Sequence, residues 1–431
     1  MVDSSRGWVS LTVNQLYIVY LCIQIKPYTV ITFVYMDAVK NPFAPGAGTP
    51  PPELAGRDIL LHRMQIALER LCLGMPQRSV ILVGLRGVGK TVLLNRIREI
   101  ASEKGFQALH IEAHEEKSLP ALLIPPLRKI LLSLDAGKQL SERAKYGLRV
   151  LKSFAGSFKA KINWNEQVDL ELGIEPQIGT ADSGDLEHDL SELLVAVAEA
   201  AKDRQTAICL LIDEIQYLKE KELSALIMGL HQVSQRQLSL VLVGAGLPLI
   251  LGLAGRSKSY AERLFEFPSV GKLEEPAAKT ALERPVAVQN VSFTTKAIAI
   301  ILEKTQGYPY FLQQWGYEAW NTAEQTPINE EDIHKATEKA LRQLDESFFR
   351  VRFDRLTKRE KDFLFAMMSV GGDHQRSGDI AERMGVKVTS IGPLRSSLIK
   401  KGMIYSPAHG DNAFTVPLFD GFLRRQQRKQ N

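Results

Sequence analysis

SVILVGLRGVGKT, Ser79 to Thr91, joins a short apolar run to a glycine-rich loop. Val80 to Val83 read as a buried-type strand, and Gly84-Leu85-Arg86-Gly87-Val88-Gly89-Lys90-Thr91 fills every position of the pattern G-x-x-x-x-G-K-S/T. Each residue type has a physical task. The glycines let the backbone curl so that successive N–H groups point inward at phosphate oxygens, and the positive end of the following helix adds to the attraction. Lys90 is placed to reach the β and γ phosphates of a nucleotide, and the Thr91 hydroxyl to ligate magnesium. The helix that follows is amphipathic, with Val92, Leu93, Leu94, Ile97 and Ile100 on its apolar face.

A second signal answers the first some 120 residues later. Ile208 to Ile215 reads ICLLIDEI, an apolar strand ending in two carboxylates. A strand apolar on both faces fits the centre of a parallel sheet covered by helices. Asp213 is then delivered beside the Thr91 side of the magnesium, and Glu214 is placed to orient or deprotonate an attacking water. Further strands at Gln107 to Glu112 and Leu238 to Val243 alternate with helices over 58–73, 183–203 and 219–236. That alternation predicts a doubly wound parallel α/β sheet of the P-loop type.

The bulk properties set bounds. A chain of 431 residues with 45% hydrophobic and 24% charged residues is an ordinary globular protein of two or three domains. Its net charge of +5 is unevenly spread: 17 Lys and Arg stand against 10 Asp and Glu from Leu341 onward, and 37 against 39 before it. A nucleic-acid surface is therefore sought first in the last fifth of the chain. Cys22, Cys72 and Cys209 are far apart in apolar company, which predicts buried thiols in a reducing, cytoplasmic setting, without a disulfide framework or a zinc spacing.

Residues 1–40 are expected to form an N-terminal extension. Within the first 35, Leu16 to Ile25 and Tyr28 to Tyr35 are apolar, but Lys26-Pro27 splits them and neither half reaches the roughly 20 residues of a spanning helix. No signal-peptide pattern frames them. Two readings stay open, an upstream extension with Met36 as working start, or a membrane-tethering hairpin; stable membrane insertion is not expected. Residues 41–273 are expected to form the nucleotide-binding domain. Its lead-in, NPFAPGAGTPPP, reads either as a stiff segment lying across a domain surface or as a plain linker. Between Ala136 and Thr180 the pattern is less regular, and alternation near 158–175 predicts an inserted β-hairpin turned at Asn165-Glu166. Such a hairpin serves packing, or else a partner or DNA contact.

Residues 274–345 read as an all-helical lid, with Gly307-Tyr308-Pro309-Tyr310-Phe311 opening one helix. Residues 346–431 read as a winged helix-turn-helix: helices over 357–370, 379–384 and 389–401, then short strands at Gly402 to Tyr405 and Ala413 to Val416 around His409-Gly410-Asp411. In that arrangement Ser390, Arg395, Ser396 and Lys400 point away from the Ile391/Leu394/Leu398 face, toward a major groove. Lys387 and His409 would touch phosphate. Winged helices also serve as protein contacts, so both uses stay open.

GLRGVGKT, LLIDEIQYL, the arginine of YAERLF (Arg263) and the C-terminal winged helix, in that order, resemble the AAA+ ATPases of the origin-recognition and initiator type. The resemblance covers residues from about Asn41 to Arg425. It implies an ATP·Mg2+ site at Gly84, Gly87, Gly89, Lys90 and Thr91, with Asp213 and Glu214 serving magnesium and water, and ATP-dependent engagement of duplex DNA. It also implies that Arg263 reaches a neighbouring subunit's site in a homo-oligomer and neutralises transition-state charge there. Two departures stand out. The strand ending at Val243 runs into Gly244-Ala245-Gly246 where such enzymes place an Asn or Thr, and the lid helix opens GYPYFLQQW without their arginine. The Gly-x-Pro opening looks like signal-transduction ATPases, which implies slow turnover.

The expected function is thus slow ATP hydrolysis coupled to DNA binding through the last domain. The alternative is a nucleotide-dependent signalling switch whose winged helix contacts protein. A metabolic kinase fits poorly, because no acceptor pocket is suggested and Glu214 suits water better than a substrate hydroxyl.

Overall fold

The computed structural model describes residues 36–134, 140–158, 174–408 and 410–430. The N-terminal extension as far as residue 35, the proposed hairpin near 158–175 apart from its ends, and His409 lie outside the described residues.

In chain order the first part contains α1 (Asp58–Cys72), β1 (Ser79–Val83), α2 (Lys90–Glu103), β2 (Gln107–Glu112), α3 (Leu119–Ser133), α4 (Glu142–Ser157), α5 (Leu186–Asp203), β3 (Ile208–Asp213), α6 (Glu220–Gln235), β4 (Leu240–Gly246), α7 (Leu249–Ser257), α8 (Ala261–Leu264) and β5 (Phe265–Glu266). The five strands form one parallel sheet in the order β2-β3-β4-β1-β5. Burial on both faces follows from the strand sequences. In β1, Ile81 and Val83 enter the core under α3 to α6, whereas Val80 and Leu82 enter the core under α1 and α2. In β3, Leu210 and Ile212 face the first side, and Cys209 and Leu211 the second. The doubly wound P-loop sheet expected from the sequence is the observed architecture.

Two local expectations are corrected. The stretch 136–180 holds a full helix, α4, whose start is capped by Ser141 accepting from the Ala144 N–H at 3.1 Å. The apolar positions Leu148, Leu151 and Phe154 give it a buried face, a period masked in the sequence by neighbouring polar residues. Cys72 ends α1 exposed to solvent rather than buried; Cys209 is fully buried, and desolvation pushes its thiol up to about 12. No described helix is long and apolar enough to cross a membrane.

Next come α9 (Glu275–Ala287), α10 (Thr295–Thr305), α11 (Pro309–Thr322) and α12 (Glu330–Gln343), then a π-helical turn, Leu344–Phe349, and α13 (Arg350–Asp354). The proline-rich lead-in lies on these helices. Phe43 is 2% exposed and fits against Gly316, where a Cβ would come within 2.6 Å of its ring. Asn41 donates to Tyr317 O and Asn321 Oδ1, both at 3.0 Å, and Trp320 Nε1 donates to Asp37 O at 2.8 Å. The segment is anchored, so Phe43→Ala should cost about 3 kcal/mol. Urea unfolding checks this, and an unchanged midpoint would show that the anchor adds nothing.

The last part contains α14 (Lys358–Val370), β6 (Gln375–Arg376), α15 (Ser377–Arg383), α16 (Val388–Lys400), β7 (Ile404–Tyr405), β8 (Asp411–Phe414) and α17 (Phe419–Gln430). Its strands pair antiparallel in the order β6-β8-β7. β6 and α17 were not anticipated. Phe422 and Leu423 of α17 share a core with Phe363 and Leu364 of α14 and with Phe349 of the π turn, which fastens this part to the preceding helices.

Glu360 ties α14 to the end of α16. Burial alone would raise its carboxyl, but hydrogen bonds from Lys401 at 2.8 Å, Ser397 at 2.7 Å and the Thr357 N–H at 2.7 Å outweigh burial and hold it at about 2. A lowered folded value means that the stabilisation is complete above the ordinary carboxyl value of 4.5 and drains away as pH falls toward about 2. Acid titration followed by circular dichroism should show Glu360→Gln losing less stability over that window than the parent. Parallel acid curves would remove Glu360 as the cause.

Candidate functional site

β1 delivers the glycine loop at the carboxyl end of the sheet. Gly84 has no room for a side chain, since a Cβ would meet Val270 O at 2.1 Å. Gly87 and Gly89 have φ of 80° and 91°, the left-handed region that glycine enters without strain. Gly89 caps α2 without any side-chain bond to its first N–H groups, leaving that positive helix end to an anion. Lys90 is 6% exposed, and its ammonium donates to Gly84 O at 3.0 Å and Leu85 O at 2.9 Å. Burial lowers its pKa, opposed by the charges of Glu214 and Asp213.

β3 lies one strand away from β1, across β4, and ends level with the loop. Thr91 Oγ1 donates to Asp213 Oδ2 at 2.6 Å, joining residues 122 apart in the chain. Asp213 is 5% exposed and its other oxygen accepts from the Glu214 N–H at 2.8 Å. A hydroxyl and a carboxylate meeting beside a phosphate loop form an all-oxygen donor set, which suits magnesium. Glu214 adopts φ 50°, uncommon for a residue with a side chain, and lines the cavity in front of the loop.

The glycines that replace Asn or Thr in β4 now have an explanation. A Cβ on Gly246 would come within 2.9 Å of Gln216 Oε1. Gln216, buried at 7% exposure, accepts from the Leu247 N–H at 3.0 Å and donates a short hydrogen bond to Glu214 Oε2. Its amide thus occupies the space over β4 and orients the carboxylate. Nothing in the sequence reading singled it out.

The cavity has a volume of about 320 Å³. Residues of the lead-in between 44 and 51 line it, together with Tyr310 and Gln313 of α11, Phe348, Arg352 and Glu214. Arg57 bridges the lead-in and the loop by donating to Val88 O at 3.2 Å and Gly271 O at 2.5 Å, and burial lowers its pKa. Tyr310 N donates to Gly87 O at 3.2 Å, so α11 touches the loop directly. Leu85, Arg86 and Val88 complete the loop; Arg86 donates to Tyr217 Oη at 2.9 Å.

Arg263 is not in this cavity. It sits on α8 beside Ser79 and Leu240, where the strands begin, at the far end of the sheet from the loop. On α16, Lys387, Ser390, Ser396 and Lys400 are exposed, with Ser390 Oγ donating to Lys387 O at 2.6 Å. Arg395 departs from its expected outward direction. Its guanidinium donates to Asn412 Oδ1 at 2.7 Å, Ser406 Oγ at 2.6 Å and Asp411 O at 3.1 Å, bracing the hairpin of β7 and β8. The turn toward β8 arises because buried Asn412 and the open end of the hairpin offer three acceptors on that side.

Residues 53–243 match the family described as AAA ATPase domain, and residues 346–423 match a Domain of unknown function (DUF8462). No curated protein matches the chain. Among solved structures, the Walker-type ATPase PABY2304 of Pyrococcus abyssi is similar at a TM-score of 0.55 and 17% identity, over 87% of this chain and 97% of that one. Cdc6p from Pyrobaculum aerophilum gives 0.45 at 16% identity over 92% and 99%, and Aeropyrum pernix Orc1 in complex with DNA gives 0.44 at 15% over 88% and 94%. The sheet order and the glycine loop give this part of the chain the P-loop fold of AAA+ proteins, and residues 53–243 of it are what resembles the AAA ATPase domain family.

Proposed function

We propose that this chain binds ATP with magnesium at the glycine loop and hydrolyses it slowly, the nucleotide state governing engagement of duplex DNA by residues 346–431. The observation that carries the nucleotide reading is the hydrogen bond between Thr91 and Asp213 in front of a buried Lys90. The loop amides and Lys90 hold the phosphates, and Thr91 and Asp213 hold the cation. Magnesium, when bound, neutralises charge on the phosphate oxygens. Glu214, steadied by Gln216, receives the proton of the attacking water or fixes its direction. Arg263, exposed and remote from its own chain's cavity, is suited to act in a neighbouring copy. A reducing, cytoplasmic setting suits the exposed thiol of Cys72.

The DNA reading treats the last region as a winged helix with α16 as reader and Lys387 and Lys400 exposed on it; the charge excess of that region supports it. Two observations favour the alternative, a module that contacts protein. Arg395 is committed to the hairpin, and Gly402 packs on the phosphate loop itself, with a Cβ there only 2.8 Å from Arg86 Nη2. Fluorescence anisotropy of a labelled random duplex, titrated in ATP and in ADP, separates the two. Binding that weakens steeply with salt and differs between nucleotides supports DNA engagement. No binding in either nucleotide at low salt overturns it in favour of the protein-contact switch.

A further inference from the structure

Three arginines line the cavity in front of the glycine loop, and among the described residues none forms an ion pair; Arg57 is committed to the carbonyls of Val88 and Gly271, which leaves Arg86 and Arg352. Arg86 stands on the loop; one Nη bonds Tyr217, while its buried Nε has no partner. Arg352 stands on α13, beyond the lid and inside the region 346–423. Its guanidinium lies 4.0 Å over the Phe348 ring, and its hydrogen bond goes to the Phe348 carbonyl. Burial, followed by the charge of Arg86, lowers Arg352 to about 10; Tyr310 and Glu214 act in the opposite direction. The two cations are therefore close enough to repel.

The π turn explains how Arg352 comes to be there. Its wider winding carries consecutive phenylalanines in different directions. Phe348 stacks on Tyr310 at 4.7 Å between ring centroids, against the loop, and Phe349 enters the core with Phe419 and Phe422. Arg352 then follows one helical turn after Phe348, on the same side, and lines the cavity together with Glu214. Two cations lining one cavity, neither of them in an ion pair, are stabilised by an anion between them, and a guanidinium suits phosphate oxygens. Lys90 and the loop amides are placed for the inner phosphates. Arg352 shares the cavity with Glu214 and is close enough to feel its charge, and Glu214 is the residue proposed to act on the bond to be cut. The lid helix GYPYFLQQW has no cation of its own to offer there.

Resting on the assignment of this cavity to ATP, we propose that Arg352 contacts the terminal phosphate and is the residue by which the C-terminal region distinguishes ATP from ADP. ADP has no group at that position, so its affinity does not depend on Arg352.

The test compares the affinities of fluorescent ATP and ADP analogues for the full chain, the parent and Arg352→Gln, which keeps much of the stem over Phe348. A charge-assisted phosphate contact predicts ATP binding about tenfold to a hundredfold weaker, with ADP binding within about twofold of the parent. Equal changes for both nucleotides, including no change for either, overturn the proposal. Arg352→Lys guards against a folding defect: it should restore part of the preference for ATP, and a preference as low as that of Arg352→Gln would likewise overturn it. Lys90→Ala in the same assay separates the underlying assignment. If Lys90→Ala leaves both affinities intact, the cavity is not the nucleotide site; if only the Arg352 variants are without selective effect, the cavity stands and this role of Arg352 falls.

Discussion

Lys90→Ala should weaken ATP binding about a hundredfold or more and remove hydrolysis with it. The ammonium is buried among the carbonyls of its own loop and loses part of its basicity to desolvation, which leaves it poised to exchange those carbonyls for phosphate oxygens. Among the described residues that line the cavity there is no other lysine to substitute, and the loop amides alone provide neutral donors of about half the strength. The fold should survive, since the apolar positions of α2, Leu93, Leu94 and Ile97, are untouched. Equilibrium binding of a fluorescent ATP analogue checks the effect against an unchanged circular dichroism spectrum. Affinity equal to the parent's would refute the phosphate-loop assignment.

Glu214→Gln should separate binding from chemistry. Thr91, Asp213 and Lys90 keep their positions, so ATP affinity stays within about threefold, while turnover falls by about 10² to 10³, the usual contribution of a positioned general base. The amide keeps the shape of the carboxylate, and its oxygen can still accept from Gln216, but it cannot take a proton. Phosphate release under single-turnover conditions is the readout. Equal rates in the two proteins would remove Glu214 from the mechanism.

Much of this was legible in the sequence because the decisive contacts are set by local rules. The run Val80 to Val83 followed by glycines dictates a strand and a turn, and ICLLIDEI dictates a second buried strand ending in acids. A parallel sheet then brings Asp213 to Thr91 across β4. Residues acting through tertiary packing left no such trace. Gln216 looks like any polar residue after a strand, and its role exists only because Gly246 leaves space above β4. Arg352 lies some 260 residues from the loop, and a π turn decides which way it points. The outward direction expected of Arg395 followed from helical periodicity alone. The acceptors that pull it inward belong to β8 and the hairpin turn, which helix periodicity does not register.

Titration calorimetry of the full chain with ATP, in magnesium and then in excess chelator, is the decisive measurement. Saturable binding of one nucleotide per chain, tighter with magnesium, is expected if Thr91 and Asp213, joined at the loop, hold that cation as proposed. Absence of saturable binding in magnesium would contradict it.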